Sequence, residues 1–173
     1  MKVFKFGGAS VNNAERIRTL PEILKVFSGE KLLVVISAMG KTTNALEKVA
    51  EAFYSGNKEK AIELFSRIKQ DHLDIAADLL SSTGWKNPSR LPDFFTEVEW
   101  LLHDRPGRDY DYYYDQIVSI GELLSTSVIS DYLNDCGITN LWMDVRDVFV
   151  TDNQFRAANL DWTRTGEHVR DLV

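Results

Sequence analysis

Val3-Phe4-Lys5-Phe6-Gly7-Gly8-Ala9-Ser10 opens the chain with a short apolar strand that runs into two glycines, a small residue and a hydroxyl. Glycines directly behind a strand permit a sharp turn and let backbone N–H groups come close to an anion. A helix starting after them adds partial positive charge at its N-terminus. Lys5 places a mobile ammonium in the same turn. Taken alone, so short a glycine motif fits an ordinary strand-to-helix turn as well as a phosphate cradle.

The pattern then repeats. Residues 12–27 carry Ile17, Leu20, Ile23, Leu24 and Phe27 at helical spacing, with Pro21 expected to kink or interrupt the helix. Lys31–Ser37 is a nearly continuous apolar run, the signature of a parallel strand covered on both faces. Residues 42–55 return to helical spacing through Leu46, Val49, Ala50 and Phe53. A β-α-β-α opening predicts an α/β protein with a mainly parallel, doubly wound sheet and right-handed crossovers. Residues 57–104 break this rhythm with a helical insertion. Lys58–Ser81 is amphipathic, a turn follows at Gly84–Pro88, and a second helix carries Phe94, Phe95, Val98, Trp100 and Leu101. Asp111–Asp135 reads as one long helix with Gly137 just past its end, and Thr139–Met143 as a third strand. Thr163–Val173 reads as a final helix without a glycine cap, as if the chain were cut there.

At 173 residues the chain suits one domain. Acidic residues outnumber basic ones 26 to 20, and no long basic run exists, which argues against nucleic acid or an anionic membrane as a partner. No apolar stretch approaches the roughly 20 residues of a membrane span. The single cysteine, Cys136, excludes an intramolecular disulfide and suits a reducing cytoplasm. Cys136 reads as buried packing, and His72, His103 and His168 are isolated, so no metal-ligand spacing is present. The Tyr110, Tyr112, Tyr113, Tyr114 cluster reads as packing against the insertion, since acidic residues flank it.

Ligands in open α/β sheets bind beyond the carboxyl ends of the strands. The three expected strands end in Lys5-Phe6-Gly7-Gly8, in Ser37-Ala38-Met39-Gly40-Lys41-Thr42-Thr43-Asn44, and in Asp144-Val145-Arg146. Gly40-Lys41-Thr42 is not a P-loop, because the position that needs the first glycine is Val35. Ser37, Thr42 and Thr43 suit either helix capping or a ligand. Gly121-Glu122 lies inside the long helix, where an interior glycine suggests close backbone approach. Glu122 stands among Val118, Ile120, Leu123 and Leu124, with Ser119, Ser125 and Thr126 on its helix face. It belongs either to an exposed polar stripe or to a cleft that receives an ammonium group.

In these segments the chain resembles the N-terminal part of the aspartokinases, within the amino-acid kinase superfamily. Lys5-Phe6-Gly7-Gly8-Ala9-Ser10-Val11 is similar to the family's K-F-G-G-T-S-V opening, and Ser37–Asn44 to its S-A-x-x-x-x-T-N loop. Gly121-Glu122-Leu123-Leu124-Ser125 matches G-E-x-x-S, and Asp144-Val145-Arg146 with Thr151-Asp152 matches D-x-R…T-D. The resemblance implies a three-layer α/β/α sandwich and ATP-dependent, Mg²⁺-assisted phosphorylation of L-aspartate to 4-phospho-L-aspartate. That reaction is the first step toward lysine, threonine and methionine. It assigns Lys5 to the transferring phosphoryl group, Lys5, Phe6, Gly7 and Gly8 to the ATP phosphates, and Ser37, Thr43, Glu122 and Arg146 to aspartate. It further implies a homo-oligomer at full length, with the nucleotide-binding half and ACT regulatory domains outside residues 1–173. Ala9 departs from the family's usual threonine. Kinases of glutamate, acetylglutamate, carbamate or UMP match the Ser37…Thr43-Asn44 and Gly121-Glu122 segments less well. A non-catalytic amino-acid-binding module is the remaining alternative.

Overall fold

The computed structural model describes residues 1–80 and 90–172, so the turn expected at Gly84–Pro88 lies outside the described residues. Strand β1 (Lys2–Phe6) pairs in parallel with β2 (Leu32–Ile36), Lys2 opposite Leu32 and Phe6 opposite Ile36. Between them run a 3-10 turn (Gly8–Val11) and two short helices, α1 (Ala14–Ile17) and α2 (Leu20–Lys25). The helix expected over 12–27 is therefore split. Pro21 sits in the first turn of α2, where its missing N–H would have had no helical partner anyway. Asn13 starts α1 by accepting the Arg16 N–H at 2.9 Å.

After β2 come α3 (Thr42–Tyr54) and α4 (Lys58–Leu80), then α5 (Leu91–His103), α6 (Tyr110–Val118), α7 (Ile120–Asp135) and α8 (Trp162–Leu172). The long helix expected over 111–135 is thus divided at Ser119, which is at once the C-cap of α6 and the N-cap of α7. Residues 58–80 and 91–103 fold into two apolar-striped helices. Phe65 on α4 meets Phe95 on α5 edge-on at 6.3 Å, and Val98 and Leu102 are fully enclosed. Trp100, expected on the same stripe, is 73% exposed instead.

The α/β architecture positions one end of the strand pair against the helices. Alternation divides each strand. Phe4, Phe6, Leu32, Val34 and Ile36 face the core, while Val3, Leu33 and Val35 on the opposite face stay exposed. The apolar run predicts cover on both faces of β2; among the described residues only one face has it.

Residues 139–143 form no strand, a second departure from the sequence pattern. Apolar alternation is present, but a strand also needs a neighbour for its N–H and C=O groups, and none among the described residues lies alongside. Leu141 is left 87% exposed, and Trp142 packs on Phe94 at 5.7 Å. The tyrosines are packing residues, and among the described residues their ring contacts are with α3, each other and Phe155, not with the insertion helices. Tyr110 meets Tyr54 and Tyr113 meets Phe53, both on α3, while Tyr112 meets Phe155.

Candidate active site

The two small-residue loops meet at the carboxyl ends of β1 and β2. The Ser37 N–H donates to the Phe6 carbonyl at 3.0 Å, and the Gly40 N–H to the Gly8 carbonyl at 3.1 Å. Gly8 has to be glycine for steric reasons, because a Cβ there would lie 2.6 Å from the Ala38 carbonyl oxygen and 3.2 Å from that of Gly40. Gly7 differs. Its backbone is extended (φ −77°, ψ 166°), and an added Cβ would meet only the Lys5 ammonium, at 3.9 Å. The Lys5 side chain, on the open face of the sheet beside Val35, therefore folds back over Gly7. A cation above a bare stretch of backbone that leads into a helical turn is an arrangement suited to a phosphate group.

The second loop turns through Gly40 (φ +53°) into α3. Its N-cap position is Lys41, with no side-chain cap bond, so neither Thr42 nor Thr43 spends its hydroxyl on capping.

Glu122 reaches the same place from α7. Gly121 lets the helix approach closely: a Cβ there would come within 3.0 Å of the Ala38 Cβ and 3.2 Å of Leu46 Cδ1. The half-buried Glu122 carboxylate then accepts the Ala38 N–H at 3.3 Å. Ser125, fully buried, donates to the Ser37 carbonyl at 2.9 Å and so ties α7 to the loop. Thr126 donates to the backbone carbonyl of Glu122 at 2.7 Å, and Ser125 also reaches that carbonyl. The hydroxyls on Glu122's face thus hold its backbone and leave its carboxylate with spare acceptor capacity.

Arg146 has other partners. Asp144 caps a 3-10 turn (Val145–Asp147) by accepting the Arg146 N–H at 2.9 Å, and its two oxygens take Nε and Nη2 of the same arginine at 2.8–3.1 Å. Glu97 on α5 takes Nη1 at 2.9 Å and Nη2 at 3.4 Å. Its hydrogen bonds to Asp144, then those to Glu97, raise the arginine's pKa above its already high value. The link back to α7 is indirect: Trp142 Nε1 donates to Thr126 Oγ1 at 2.9 Å.

Lys5, Phe6, Gly7, Gly8, Ser37, Thr43 and Glu122 therefore belong to the two loops and the helix that meets them, and Arg146 stands one relay away. Glu97 and Trp142 carry no sequence signal for such a place, since 49 residues separate Glu97 from the arginine it holds. Cys136, expected to be buried, is half-buried at the C-cap of α7, where its backbone N–H donates to the Tyr132 carbonyl at 3.0 Å. Among the described residues no group of three or more His, Cys, Asp or Glu side chains could hold a metal ion. No helix among them is long and apolar enough to cross a membrane.

The chain is thus an α/β protein with paired small-residue loops at the carboxyl ends of its parallel strands. The profile of the amino acid kinase family matches residues 1–168, and the chain belongs to that family. It is 35% identical over 162 residues to aspartokinase 1 (chloroplastic) of Arabidopsis thaliana, covering 88% of this chain and 27% of the relative. It is equally identical over 163 residues to the plant's aspartokinase 2, covering 91% of this chain and 29% of that protein. Among solved structures it resembles E. coli aspartokinase III in complex with aspartate and ADP. There the TM-score is 0.76 at 26% identity, covering 97% of this chain and 36% of that one. The chain accordingly spans about a third or less of the length of these relatives.

Proposed function

We propose that this chain supplies the amino-acid-binding part of an aspartate kinase, which phosphorylates the side-chain carboxylate of L-aspartate with ATP to give 4-phospho-L-aspartate. The observation that carries the reading is the meeting of Glu122 with the Ser37–Thr43 loop, beside a lysine folded over Gly7. The presence of aspartate and ADP in the E. coli aspartokinase III structure supports the choice of ligands.

Each role follows from charge and geometry. In the reaction an oxygen of the substrate carboxylate bonds to the γ-phosphorus while the bond to the bridging β–γ oxygen breaks, and ADP departs with that electron pair. No enzyme nucleophile takes part, so catalysis consists of positioning and neutralisation of charge. Lys5 follows the phosphoryl group, with the backbone N–H groups of Gly7 and Gly8, just past the Phe6 end of β1, around the phosphates. Glu122 takes the substrate ammonium, Ser37 and Thr43 offer hydroxyls, and Arg146 takes a carboxylate. Mg²⁺ would arrive on the nucleotide, since the described residues offer no cluster for it. The pathway follows with the reaction: the first step toward lysine, threonine and methionine. The single cysteine favours the cytoplasm as compartment, although the Arabidopsis relatives are chloroplastic by name. A homo-oligomer completes the reading.

Calorimetric titration of aspartate into the intact protein tests it. Glu122→Gln keeps shape but removes the charge, and loss of a charged hydrogen bond weakens binding about ten- to a hundredfold. Nucleotide affinity should stay unchanged. Equal aspartate affinity in the two proteins would return Glu122 to a structural role.

A further inference from the structure

The guanidinium of Arg146 is taken on both of its two-pronged edges. Asp144 occupies the Nε/Nη2 edge at 2.8–3.1 Å, and Glu97 occupies the Nη1/Nη2 edge at 2.9 and 3.4 Å. An arginine grips a carboxylate well through one such edge, with two parallel N–H···O bonds. A third carboxylate can therefore gain that grip only by replacing one of the two already present.

The two are unequal. Asp144 is local: it lies two residues away, also accepts the Arg146 backbone N–H, and its side chain is 13% exposed. Removing it would undo the turn that presents the arginine. Glu97 comes from the insertion helix α5, 49 residues away, and its side chain is 44% exposed. Among the described residues its contact with Arg146 is its one hydrogen-bonded pairing with a cation, and the second prong is stretched to 3.4 Å.

We infer that Glu97 is an internal competitor for Arg146: its carboxylate occupies the edge that a substrate carboxylate would take, and so sets the affinity of the site for an acidic amino acid. The inference rests on the proposed assignment of Arg146 to substrate binding. Binding exchanges one arginine–carboxylate pair for another, while Glu97, already half in water, moves into solvent. The net affinity is the difference between the two pairings. The insertion thereby has a part in specificity, because only a ligand whose carboxylate outbids Glu97 obtains the arginine.

Steady-state kinetics of the intact protein with aspartate tests this. Glu97→Gln keeps the size of the side chain and removes the competing charge. Because the exposed pair it abolishes is a weak one, the KM for aspartate should fall about two- to fivefold while kcat stays level. A fixed support for the arginine gives the opposite result, a higher KM, and an unchanged KM likewise overturns the inference. Arg146→Ala separates the two assignments. If Arg146→Ala leaves the KM for aspartate unaltered, the arginine's role in substrate binding fails. If Arg146→Ala raises KM but Glu97→Gln does not lower it, only the competitor fails. In the double variant the gain from Glu97→Gln should vanish, since its benefit passes entirely through the arginine.

Discussion

Gly7 and Gly8 are adjacent, and both have ordinary negative-φ or extended backbones, yet the structure gives them opposite reasons for being glycine. At Gly8 an alanine Cβ would sit 2.6 Å from the Ala38 carbonyl oxygen. A carbon and a carbonyl oxygen rest about 3.3 Å apart, so the two loops would have to separate by roughly 0.7 Å. That shift strains or breaks the Gly40 N–H bond to the Gly8 carbonyl, now 3.1 Å. Overpacking of this kind costs about 1–3 kcal/mol, which lowers the melting temperature by about 2–4 °C per kcal/mol in a domain of this size. At Gly7 the added methyl meets only the movable end of Lys5, 3.9 Å away, so stability should change by less than about 0.5 kcal/mol. Gly7→Ala should nonetheless reduce turnover, because the methyl takes the space beside the ammonium that the proposed function gives to phosphate. Urea denaturation of both variants, with activity measured on the same samples, separates the cases. A Gly8→Ala protein as stable as the parent, or a Gly7→Ala protein that is unstable, would refute the reasoning.

Gly121→Ala should destabilise by about 1–3 kcal/mol, because its Cβ meets Ala38 Cβ at 3.0 Å and Leu46 Cδ1 at 3.2 Å. Pairing it with Ala38→Gly should give a loss smaller than the sum of the two single losses, and strict additivity in denaturant melts would show that the helix is not held at that contact. His72 is 2% exposed, donates Nδ1–H to the Ile68 carbonyl and has no partner for Nε2 among the described residues. Burial lowers its pKa below the ordinary 6.5, so the folded chain favours the neutral ring while the unfolded chain takes up a proton. Its contribution to stability is complete above pH 6.5 and is lost as pH falls toward the lowered value. His72→Phe should flatten the decline in unfolding free energy between pH 7.5 and 5.5, and an unchanged slope would assign that decline to other groups.

The parts of the site nearest in sequence were the most legible. A strand followed by two glycines, and a second strand followed by Ser37–Thr43, could be placed at one sheet end because strand and helix periods alternate cleanly over residues 2–55. Gly121 was legible too, since a glycine inside an apolar helix needs a neighbour that comes close, and Ala38 is that neighbour. Periodicity says nothing about partners, however. Residues 139–143 alternate like a strand and have nothing to pair with among the described residues, and β2 has the composition of a doubly covered strand with one face covered. The sequence places hydroxyls on the helix face of Glu122 but does not say what they bond, and Thr126 donates to the backbone carbonyl four residues back, a bond available to any threonine in a helix. Arg146 was singled out for its charge, but its pairing with Glu97 depends on the path of the whole insertion.

The central claim is that Lys5 neutralises a phosphoryl group on its way to aspartate. Aspartate-dependent ADP release by the intact protein, compared between the parent and Lys5→Met, tests it most directly. Loss of one charge contact made in the transition state should lower kcat by about a hundred- to a thousandfold, with aspartate affinity by calorimetry unchanged. A Lys5→Met enzyme that retains turnover within about tenfold of the parent, a barrier difference of roughly 1.4 kcal/mol, would contradict it.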